Sequence, residues 1–412
     1  MNAPDPHASE RRVSEPRDPA DAPAPASPPA ASARPPAAPE RPPFPARIGD
    51  SLDQVDTPAL MLDLDVFEAN LAAVHGAVAR AGLALRAHAK AHKCVEIARR
   101  QVAAGAVGLC CQKVGEAEIF VAAGIGDVLV SNQVIGASKL ARLARLSHQA
   151  RVGVCVDHPA QVAALAQAVR AAQGRVEVLI EVDVGGARCG VTSTAQVLEL
   201  AHAVQAQAPY LALRGLQAYH GAAQHRRSPQ ARREAIAQAC ETAEAARQAL
   251  LAAGLPCPVI TGGGTGTYPQ EAASGLYTEV QPGSYVLMDA DYFANEPDPA
   301  APVLRQALTV RCQVISERPG QVVLDGGLKA FAVDSGLPRP LAAGWRTASV
   351  SDEHLVMRHI AGETPVALGI GDRVEVVPGH CDPTVNLHDS LVVHRGGRVV
   401  DLWRIDARGA LF

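Results

Sequence analysis

From residue 57 onward, short aliphatic runs alternate with longer alanine-rich segments. The short runs are typical of buried strands and the longer segments of amphipathic helices, so the alternation predicts an α/β fold with a parallel sheet and crossover helices. We expect strands over 59–64, 85–89, 108–112, 127–131, 152–156, 176–184, 213–219 and 259–262. Helices are expected over 66–81, 94–104, 115–123, 138–147, 159–172, 194–207 and 229–253. Eight such units fit the size of a (β/α)₈ barrel.

After about residue 298 the pattern becomes one of strand runs separated by turn pairs such as Pro319-Gly320, Gly371-Asp372 and Gly396-Gly397. This change predicts a C-terminal antiparallel β domain. We therefore expect the barrel to occupy residues 48–298 and the β domain residues 299–412.

Residues 1–47 are dominated by proline, alanine, serine, arginine and glutamate. Such a segment cannot bury enough apolar surface to offset the entropy of ordering it, so we predict a disordered tail without a catalytic role. It contains several acidic residues, unlike a transit peptide, and it lacks the apolar run of a secretory signal.

The composition limits the classes of partner. The chain has 38 basic and 42 acidic residues and a net charge of -4, which gives no electrostatic attraction for nucleic acid. Its apolar runs are only as long as strands, so we expect no membrane span. Nine scattered cysteines without a CxxC pair indicate reduced thiols in a cytoplasmic protein. A small-molecule substrate fits these features best.

The end of the second predicted strand carries a lysine between two histidines. Alternation along a strand would place His88, Lys90 and His92 on one face, with Lys90 directed into the barrel. A lysine there is costly unless it is uncharged or paired, and an uncharged amine can condense with an aldehyde. The alternative interpretation of this segment is a basic loop at the end of a strand.

Three further segments carry candidate chemistry. The glycine-rich turn 262–266 follows a strand and could bring backbone N–H groups close to a phosphate, although such turns are often only turns. His220 ends the seventh predicted strand and could titrate near neutral pH, or be a structural histidine. His380 and Asp382 would share one face of an extended segment and could bind one metal ion, with Cys381 directed away.

Six motifs carry a more specific resemblance. They lie at 56–65, 86–93, 111–116, 262–266, 279–285 and 378–386. In this order they resemble the motif series of the D-threonine aldolase and D-serine dehydratase group of alanine-racemase-like pyridoxal-phosphate (PLP) enzymes. The resemblance extends from about residue 50 to the C-terminus and implies a PLP-binding barrel, a following β domain and a homodimer.

The resemblance also implies roles for single residues. Lys90 would hold PLP covalently, and His220 would be the base for the substrate β-hydroxyl. The other residues expected to contact PLP are Gln112, Arg188, Thr265, Gly283, Ser284 and Tyr292. Gln281 stands where alanine racemase has an arginine facing the pyridine nitrogen, which leaves the protonation of the ring open.

The same resemblance implies a metal and a reaction. The dehydratases carry His-x-Cys and the aldolases His-x-Asp, so His380 and Asp382 imply a divalent metal such as Mn²⁺ or Mg²⁺. The expected activity is cleavage of D-β-hydroxy amino acids, such as D-threonine or D-3-hydroxyaspartate, to glycine and an aldehyde. Three alternatives stay open: a metal-dependent D-serine dehydratase, an amino-acid racemase, and a non-catalytic PLP-binding protein.

Overall fold

The computed structural model describes residues 43–412. The predicted disordered tail, residues 1–47, therefore lies almost entirely outside the described residues. Within the described part of the chain, no helix combines the length and the apolar character needed to cross a membrane.

Eight parallel strands form a closed barrel, in the order β2 to β9 around the ring. They are β2 (Ala84–His88), β3 (Gly108–Cys111), β4 (Asp127–Gln133), β5 (Arg151–Val156), β6 (Val176–Glu181), β7 (Leu211–Gln217), β8 (Val259–Gly262) and β9 (Glu279–Val280). Most of their residues are buried, because the barrel interior lies on one face and the helices cover the other.

The helices of the barrel connect successive strands. They are α1 (Leu64–Arg80), α2 (Val95–Ala103), α3 (Val114–Ala122), α4 (Ala137–Leu146), α5 (Pro159–Ala171), α6 (Thr194–Gln205), α7 (Pro229–Ala252) and α8 (Tyr268–Ala273). Local signals begin several of them. Proline is the first residue of α5 and α7, and Ser228 accepts a hydrogen bond from the Ala231 backbone nitrogen at the start of α7.

The second sheet has nine strands, in the order β13-β14-β11-β10-β1-β16-β17, with β15 pairing to β10 and β12. Its strands are β1 (Ala59–Asp63), β10 (Leu308–Arg318), β11 (Gln321–Leu324), β12 (Arg339–Pro340), β13 (Trp345–Val350), β14 (Leu355–His359), β15 (Arg373–Val377), β16 (Ser390–Arg395) and β17 (Arg398–Arg404). Two short helices, α9 (Ala290–Phe293) and α10 (Cys381–Val385), complete the elements.

The assignment of the first predicted strand to the barrel was wrong. β1 pairs antiparallel with β10 and parallel with β16, so it belongs to the second sheet. The eighth barrel strand is β9, which closes the ring between β8 and β2. The boundary between domains at residues 298 and 299 remains a prediction. β1 lies before this boundary in the chain but contributes to the C-terminal sheet.

One apolar core extends from the barrel into the second sheet. Leu60 of β1, Phe67 of α1 and Val310 of β10 are each at most 1% exposed and belong to one packed cluster. Burying such side chains is the dominant stabilising term in folding, at about 1.5–3 kcal/mol for each large residue. The barrel and the sheet therefore share their stabilising interior.

Ion pairs close the amino-terminal end of the barrel. Arg86 lies 2.6 Å from Asp127 and 3.0 Å from Glu279, and Arg151 lies 2.9 Å from Glu177. These charged groups satisfy one another at the end where the strands begin. At the opposite end, loops that follow the carboxyl ends of the strands form the functional site, as in other (β/α)₈ barrels.

Candidate functional site

Lys90 lies at the carboxyl end of β2, in a 3₁₀ turn formed by Ala89–Ala91. Its amine forms an ion pair with Asp382 of α10. Burial lowers the pKa of Lys90, but the Asp382 carboxylate and the nearby Tyr219 hydroxyl together raise it above the ordinary value. Of the two states that the sequence allows for a buried lysine, uncharged or paired, the structure shows the paired one, in which Asp382 stabilises the protonated amine.

His88 and His92 do not flank Lys90 as alternation predicted. β2 ends at His88, and the following turn directs His92 into the interior, where its Nε2 contacts Gln101 Oε1 at 3.1 Å. His88 remains near Lys90 and contacts Gln112, with 3.0 Å between the two Nε2 atoms. Burial, followed by the charge of Lys90, lowers the pKa of His88 to about 3, so its ring is neutral.

Ser284 and Gly283 lie close to the Lys90 turn. The Ser284 hydroxyl donates to Asp382 Oδ1 at 3.1 Å. A side chain at Gly283 would meet the turn directly, because its Cβ would lie 2.7 Å from the His88 carbonyl oxygen. Glycine is thus required there for the close approach of two backbone segments. Three predicted site residues, Lys90, Ser284 and Asp382, are brought together.

A cavity of about 280 Å³ lies beside the glycine-rich turn after β8. Thr265, Gly266, Met288 and Tyr292 are among the residues that line it. The Thr265 hydroxyl is buried and has no hydrogen-bond partner among the described residues. A buried polar atom without a partner is costly, so this hydroxyl is available for a polar ligand such as a phosphate.

Arg188 lines a second cavity, of about 160 Å³, together with Tyr219 and Glu181. The loop that carries Arg188 is built around Asp183, whose Oδ1 accepts hydrogen bonds from the backbone nitrogens of residues 185, 186 and 187 at 2.9–3.1 Å. Sequence reasoning missed Tyr219. Burial raises the pKa of its hydroxyl, although the charge of nearby Lys90 lowers it. The alternation that places Gln217 inside the barrel could have identified Tyr219, two residues further along.

His220 lines neither of these two cavities. It is 5% exposed, and burial followed by the charge of Arg226 lowers its pKa, so the ring is neutral near pH 7. A Cβ on Gly185 would lie 3.0 Å from His220 Nε2, which places the ring against the Arg188 loop. The described contacts of His220 include neither Lys90 nor Asp382.

His225 is a second histidine of this region that sequence reasoning missed. Its Nδ1 lies 2.7 Å from Asp291 Oδ2, and its ring packs on Tyr292 with 5.1 Å between the ring centroids. The two atoms are within ion-pair distance, although His225 Nδ1 forms no hydrogen bond among the described residues. The spacing after His220 gave no signal for this contact, because it depends on the fold.

His380 and Asp382 lie where the extended chain enters α10, with His380 preceding the first helical residue. The segment is therefore not fully extended as predicted. Cys381 is also not directed away, because its Sγ lies 3.3 Å from Asp382 Oδ1. Burial raises the pKa of Asp382, but Lys90 and then His380 outweigh it and hold that pKa well below its usual range.

The donor atoms of His380 and Asp382 fit a two-residue metal site. Asp334 Oδ2 lies 2.7 Å from His380 Nδ1, which leaves Nε2 for a metal ion. Within residues 43–412, no cluster of three or more histidine, cysteine or acidic side chains could hold a metal. Any metal here would therefore complete its coordination with water or substrate oxygen atoms.

Asp289 connects the segment of Tyr292 to that of His380. One carboxylate oxygen accepts from the Tyr292 backbone nitrogen at 2.9 Å, and the other accepts from the Cys381 backbone nitrogen at 2.8 Å. No motif identified Asp289, because its two partners are more than eighty residues apart in the chain. This contact positions Tyr292, and with it the cavity beside Thr265, relative to the His-x-Asp pair.

The closed barrel, the lysine at the carboxyl end of its second strand and the antiparallel domain that follows define the alanine-racemase-like class of barrels, which bind PLP. The model of the family described as alanine racemase, N-terminal domain, matches residues 62–291, and the chain belongs to this family. A second model, described as a putative serine dehydratase domain, matches residues 307–394. The resemblance and the fold class predicted from the sequence are confirmed.

Individual relatives match almost the whole chain. A D-threonine aldolase from Arthrobacter sp is 48% identical over 368 residues, which are 89% of this chain and 96% of that protein. A 3-hydroxy-D-aspartate aldolase from Paracoccus denitrificans is 41% identical over 374 residues, with 89% and 95% covered. The crystal structure of D-threonine aldolase from Filomicrobium marinum is 44% identical and superimposes with a TM-score of 0.87, covering 89% of this chain and 100% of that one.

Proposed function

We propose that this protein is a PLP- and divalent-metal-dependent aldolase that cleaves D-β-hydroxy amino acids to glycine and an aldehyde. The observation that carries the proposal is the contact of Lys90 with Asp382, which brings the expected cofactor lysine beside the expected metal ligand. A substrate joined to the cofactor through its amine would then present its β-hydroxyl near the metal. D-Threonine and D-3-hydroxyaspartate fit this chemistry, and the names of the relatives support it.

The cofactor would be held through its aldehyde carbon and through its phosphate. Lys90 would bind its aldehyde carbon, and the unpartnered hydroxyl of Thr265 with Gly283, Ser284 and Tyr292 would receive its phosphate. Gln112, beside His88, and Arg188, on its ordered loop, would contact the ring. When bound, PLP supplies an electron sink for the electron pair of the broken Cα–Cβ bond.

The metal would be held by His380 Nε2 and the Asp382 carboxylate. A nitrogen and a hard oxygen donor suit Mn²⁺ or Mg²⁺ better than a softer ion. When bound, such an ion supplies a positive charge that makes a substrate hydroxyl more acidic. Asp334 fixes the orientation of His380 through Nδ1, so the ring presents Nε2 in one direction.

His220 would take the proton of the substrate hydroxyl. Its Nδ1 is buried without a hydrogen-bond partner among the described residues, and its lowered pKa keeps the ring in the basic form. His225 is a second candidate, because the Asp291 carboxylate lies 2.7 Å from its Nδ1 and leaves Nε2 to accept a proton. Replacing each histidine by alanine separately and measuring kcat assigns the base: its loss should lower kcat by about 10²–10⁴-fold.

The experiment that tests the function is a product assay on the purified full-length protein with PLP and Mn²⁺. We expect glycine and an aldehyde from D-threonine, no turnover of L-threonine, and loss of activity with a chelator. Formation of a 2-oxo acid and ammonia would instead establish the dehydratase reaction, which the match to a putative serine dehydratase domain favours. Asp382, in place of the softer cysteine ligand, supports the aldolase.

Replacement of Lys90 by alanine tests the cofactor assignment. The variant should lose the visible absorbance of lysine-bound PLP, because no other amine would occupy its position. Retention of that absorbance would show that a different lysine carries the cofactor. Catalysis should fall with the absorbance, since both depend on the same nitrogen.

We also propose a homodimer that works in the cytoplasm. Leu328, Val333, Leu337 and Leu341 are 36–52% exposed and lie in the segment that surrounds Asp334, so a second subunit could cover them. All nine cysteines, which fall within the described residues, are free thiols, in keeping with a reducing compartment. Light scattering of the purified protein tests the dimer, and a monomeric mass would refute it.

A further inference from the structure

A continuous chain of hydrogen bonds runs through the interior from the Lys90 turn to the segment after β9. The chain consists of Cys94 N to His92 Nδ1 (3.1 Å), His92 Nε2 to Gln101 Oε1 (3.1 Å), Gln101 Nε2 to Tyr285 OH (3.3 Å), Tyr285 OH to His75 Nε2 (2.8 Å) and His75 Nδ1 to Ala104 O (3.0 Å). We refer to the side chains of His75, Tyr285, Gln101 and His92 as the relay.

All four side chains of the relay are buried. His92, Gln101 and Tyr285 are 0% exposed, and His75 is 9% exposed. Their polar atoms therefore depend on one another rather than on bulk water. Removing one buried partner typically costs about 1–3 kcal/mol, because the remaining group keeps its desolvation penalty.

The two ends of the relay determine the direction of every proton in it. The Cys94 backbone N–H can only donate, so His92 accepts at Nδ1 and donates from Nε2 to Gln101. The Ala104 carbonyl can only accept, so His75 donates from Nδ1 and accepts at Nε2 from the Tyr285 hydroxyl. Tyr285 accepts in turn from the Gln101 amide. Only neutral imidazoles and one orientation of the Gln101 amide satisfy all five bonds.

The relay joins the two segments that would hold the aldehyde carbon and the phosphate of PLP. His92 closes the Lys90 turn, because its backbone nitrogen donates to Ala89 O at 3.2 Å. Tyr285 directly follows Ser284 in the 3₁₀ turn Ser284–Val286. The His88 backbone nitrogen also donates to Pro282 O at 3.0 Å, so the two segments contact each other on the site side as well.

We propose that His75, Tyr285, Gln101 and His92 are positioning residues that set the distance between the Lys90 amine and the phosphate-binding segment. This inference rests on the proposed function, in which Lys90 and Gly283 with Ser284 bind the aldehyde carbon and the phosphate of one cofactor. These two groups of PLP stand on neighbouring ring carbons, so both bind together only when the lysine amine and the phosphate-binding backbone lie within a short, limited range of distance. A relay with one proton arrangement maintains the spacing better than side chains with several arrangements.

The test compares PLP with inorganic phosphate as probes of the full-length protein. Tyr285→Phe keeps the ring but removes the hydroxyl that forms two bonds of the relay. We expect PLP to bind at least about tenfold more weakly and the visible band of lysine-bound PLP to decrease. The inhibition constant of inorganic phosphate, measured by competition with PLP, should change less than about twofold. Phosphate contacts only the phosphate-binding segment, so its binding does not depend on the distance to Lys90. An equal loss for both probes would overturn the inference.

A double-mutant cycle tests the dependence on Lys90. In a Lys90→Ala background, Tyr285→Phe should change PLP affinity less than about twofold, because no amine remains to be spaced from the phosphate. A full tenfold loss in that background would overturn the inference. Absence of PLP binding by the wild type would refute the proposed function together with this inference, whereas normal binding by both wild type and Tyr285→Phe would refute this inference alone.

Two further variants separate spacing from loss of fold. Gln101→Met breaks the relay at a different bond and should reproduce the pattern of Tyr285→Phe, including when the tyrosine variant is unstable. Thr347→Val is the matched control, because it removes one buried hydrogen bond, from Thr347 to the Pro338 carbonyl at 2.5 Å, in the second sheet. Its PLP affinity should stay within about twofold of the wild type even if its Tm falls. A loss of PLP affinity in the control equal to that in the relay variants would overturn the inference.

Discussion

Glu271 of α8 is a fully buried carboxyl group beneath the glycine-rich turn after β8. Thr267 donates to its Oε1 at 2.8 Å, and its Oε2 has no hydrogen-bond partner among the residues described. A Cβ on Gly263 would lie 3.3 Å from Oε2, so the carboxyl lies directly against the turn. Burial raises the pKa of Glu271 to about 7, although the Thr267 bond lowers it.

This raised pKa predicts a pH dependence of stability. Between the ordinary value of 4.5 and about 7, the folded protein binds the Glu271 proton more tightly than the unfolded chain does. The stabilisation is complete below the lower value and is lost as pH rises through the upper one, by on the order of 3 kcal/mol. Glu271→Gln should flatten this decline in urea unfolding measured from about pH 5 to about pH 8. Parallel curves for variant and wild type would contradict the assignment.

Asp334 should control metal affinity although it would not bind the metal itself. Its carboxylate holds His380 Nδ1 at 2.7 Å, whereas the Ser335 hydroxyl approaches the same atom at 3.3 Å. Asp334→Asn should weaken Mn²⁺ binding by about 10–100-fold in a calorimetric titration, because the ring loses its charged partner. Ser335→Ala is the control and should have a smaller effect. Equal losses in the two variants would show that the carboxylate has no special role.

At the scale of single residues, sequence patterns predicted which residues belong to the site better than they predicted where the side chains point. They located Lys90, His380 and Asp382, and the structure brings Lys90 into contact with Asp382. Strict alternation failed at His92, because β2 ends at His88 and a 3₁₀ turn rotates the following side chains. The charge of Lys90 could not be predicted either, since it depends on a carboxylate almost three hundred residues away.

Among the elements, β7 contains a position that only glycine can occupy. Gly215 has φ +142, and a Cβ there would lie 1.8 Å from the Val259 carbonyl oxygen of β8. The register between β6 and β7 also shifts at this point, on the other side of the strand. The barrel wall therefore has no space for a side chain at this position.

Gly215→Ala should destabilise the protein by about 3 kcal/mol or more, because overlap with backbone adds to an unfavourable φ. Gly254→Ala is the matched control: Gly254 has φ +69 but no atom within 4 Å of its Cβ position. Its cost should be about 1 kcal/mol, from the backbone conformation alone. Denaturant unfolding measures both, and similar losses for the two variants would show that the overlap relaxes freely.

The barrel elements were predictable mainly where the segments were long. Seven of the predicted strands form barrel strands, and the runs after residue 298 form an antiparallel sheet as expected. β9 escaped prediction because it has only two residues, too few for any periodicity. Its role in closing the ring follows from its neighbours, β8 and β2, rather than from its own sequence.

Across the whole molecule, sequence order does not match spatial order. β1 precedes the barrel in the chain but pairs with β10 and β16, which come after it. A hydrophobic run carries no information about such distant partners, so assignment to the nearest domain was the natural prediction and was wrong. The resemblance to a known family predicted the architecture, which the structure confirms, but it did not predict the pairing of β1.

The ion pair of Lys90 with Asp382 has a consequence for the binding of the two proposed ligands, PLP and a divalent cation. In the ion pair, the Lys90 amine and the Asp382 carboxylate are each other's partner, so neither group is free for a ligand. Covalent attachment of PLP to Lys90 would release Asp382 for a cation, and a cation on Asp382 would release the amine for PLP. The two binding equilibria should therefore be linked, with positive heterotropic cooperativity.

Thermodynamic reciprocity makes this linkage measurable from either direction. Saturating Mn²⁺ should tighten PLP binding by the same factor by which saturating PLP tightens Mn²⁺ binding, on the order of 5–150-fold. Asp382→Asn should abolish the effect of Mn²⁺ on PLP affinity, because this residue would provide both a metal ligand and the partner of the lysine. If each ligand left the affinity for the other unchanged in the wild type, the Lys90–Asp382 ion pair would dissociate at no cost in free energy. With linkage, molecules that hold only one of the two ligands are less populated than independent binding would make them.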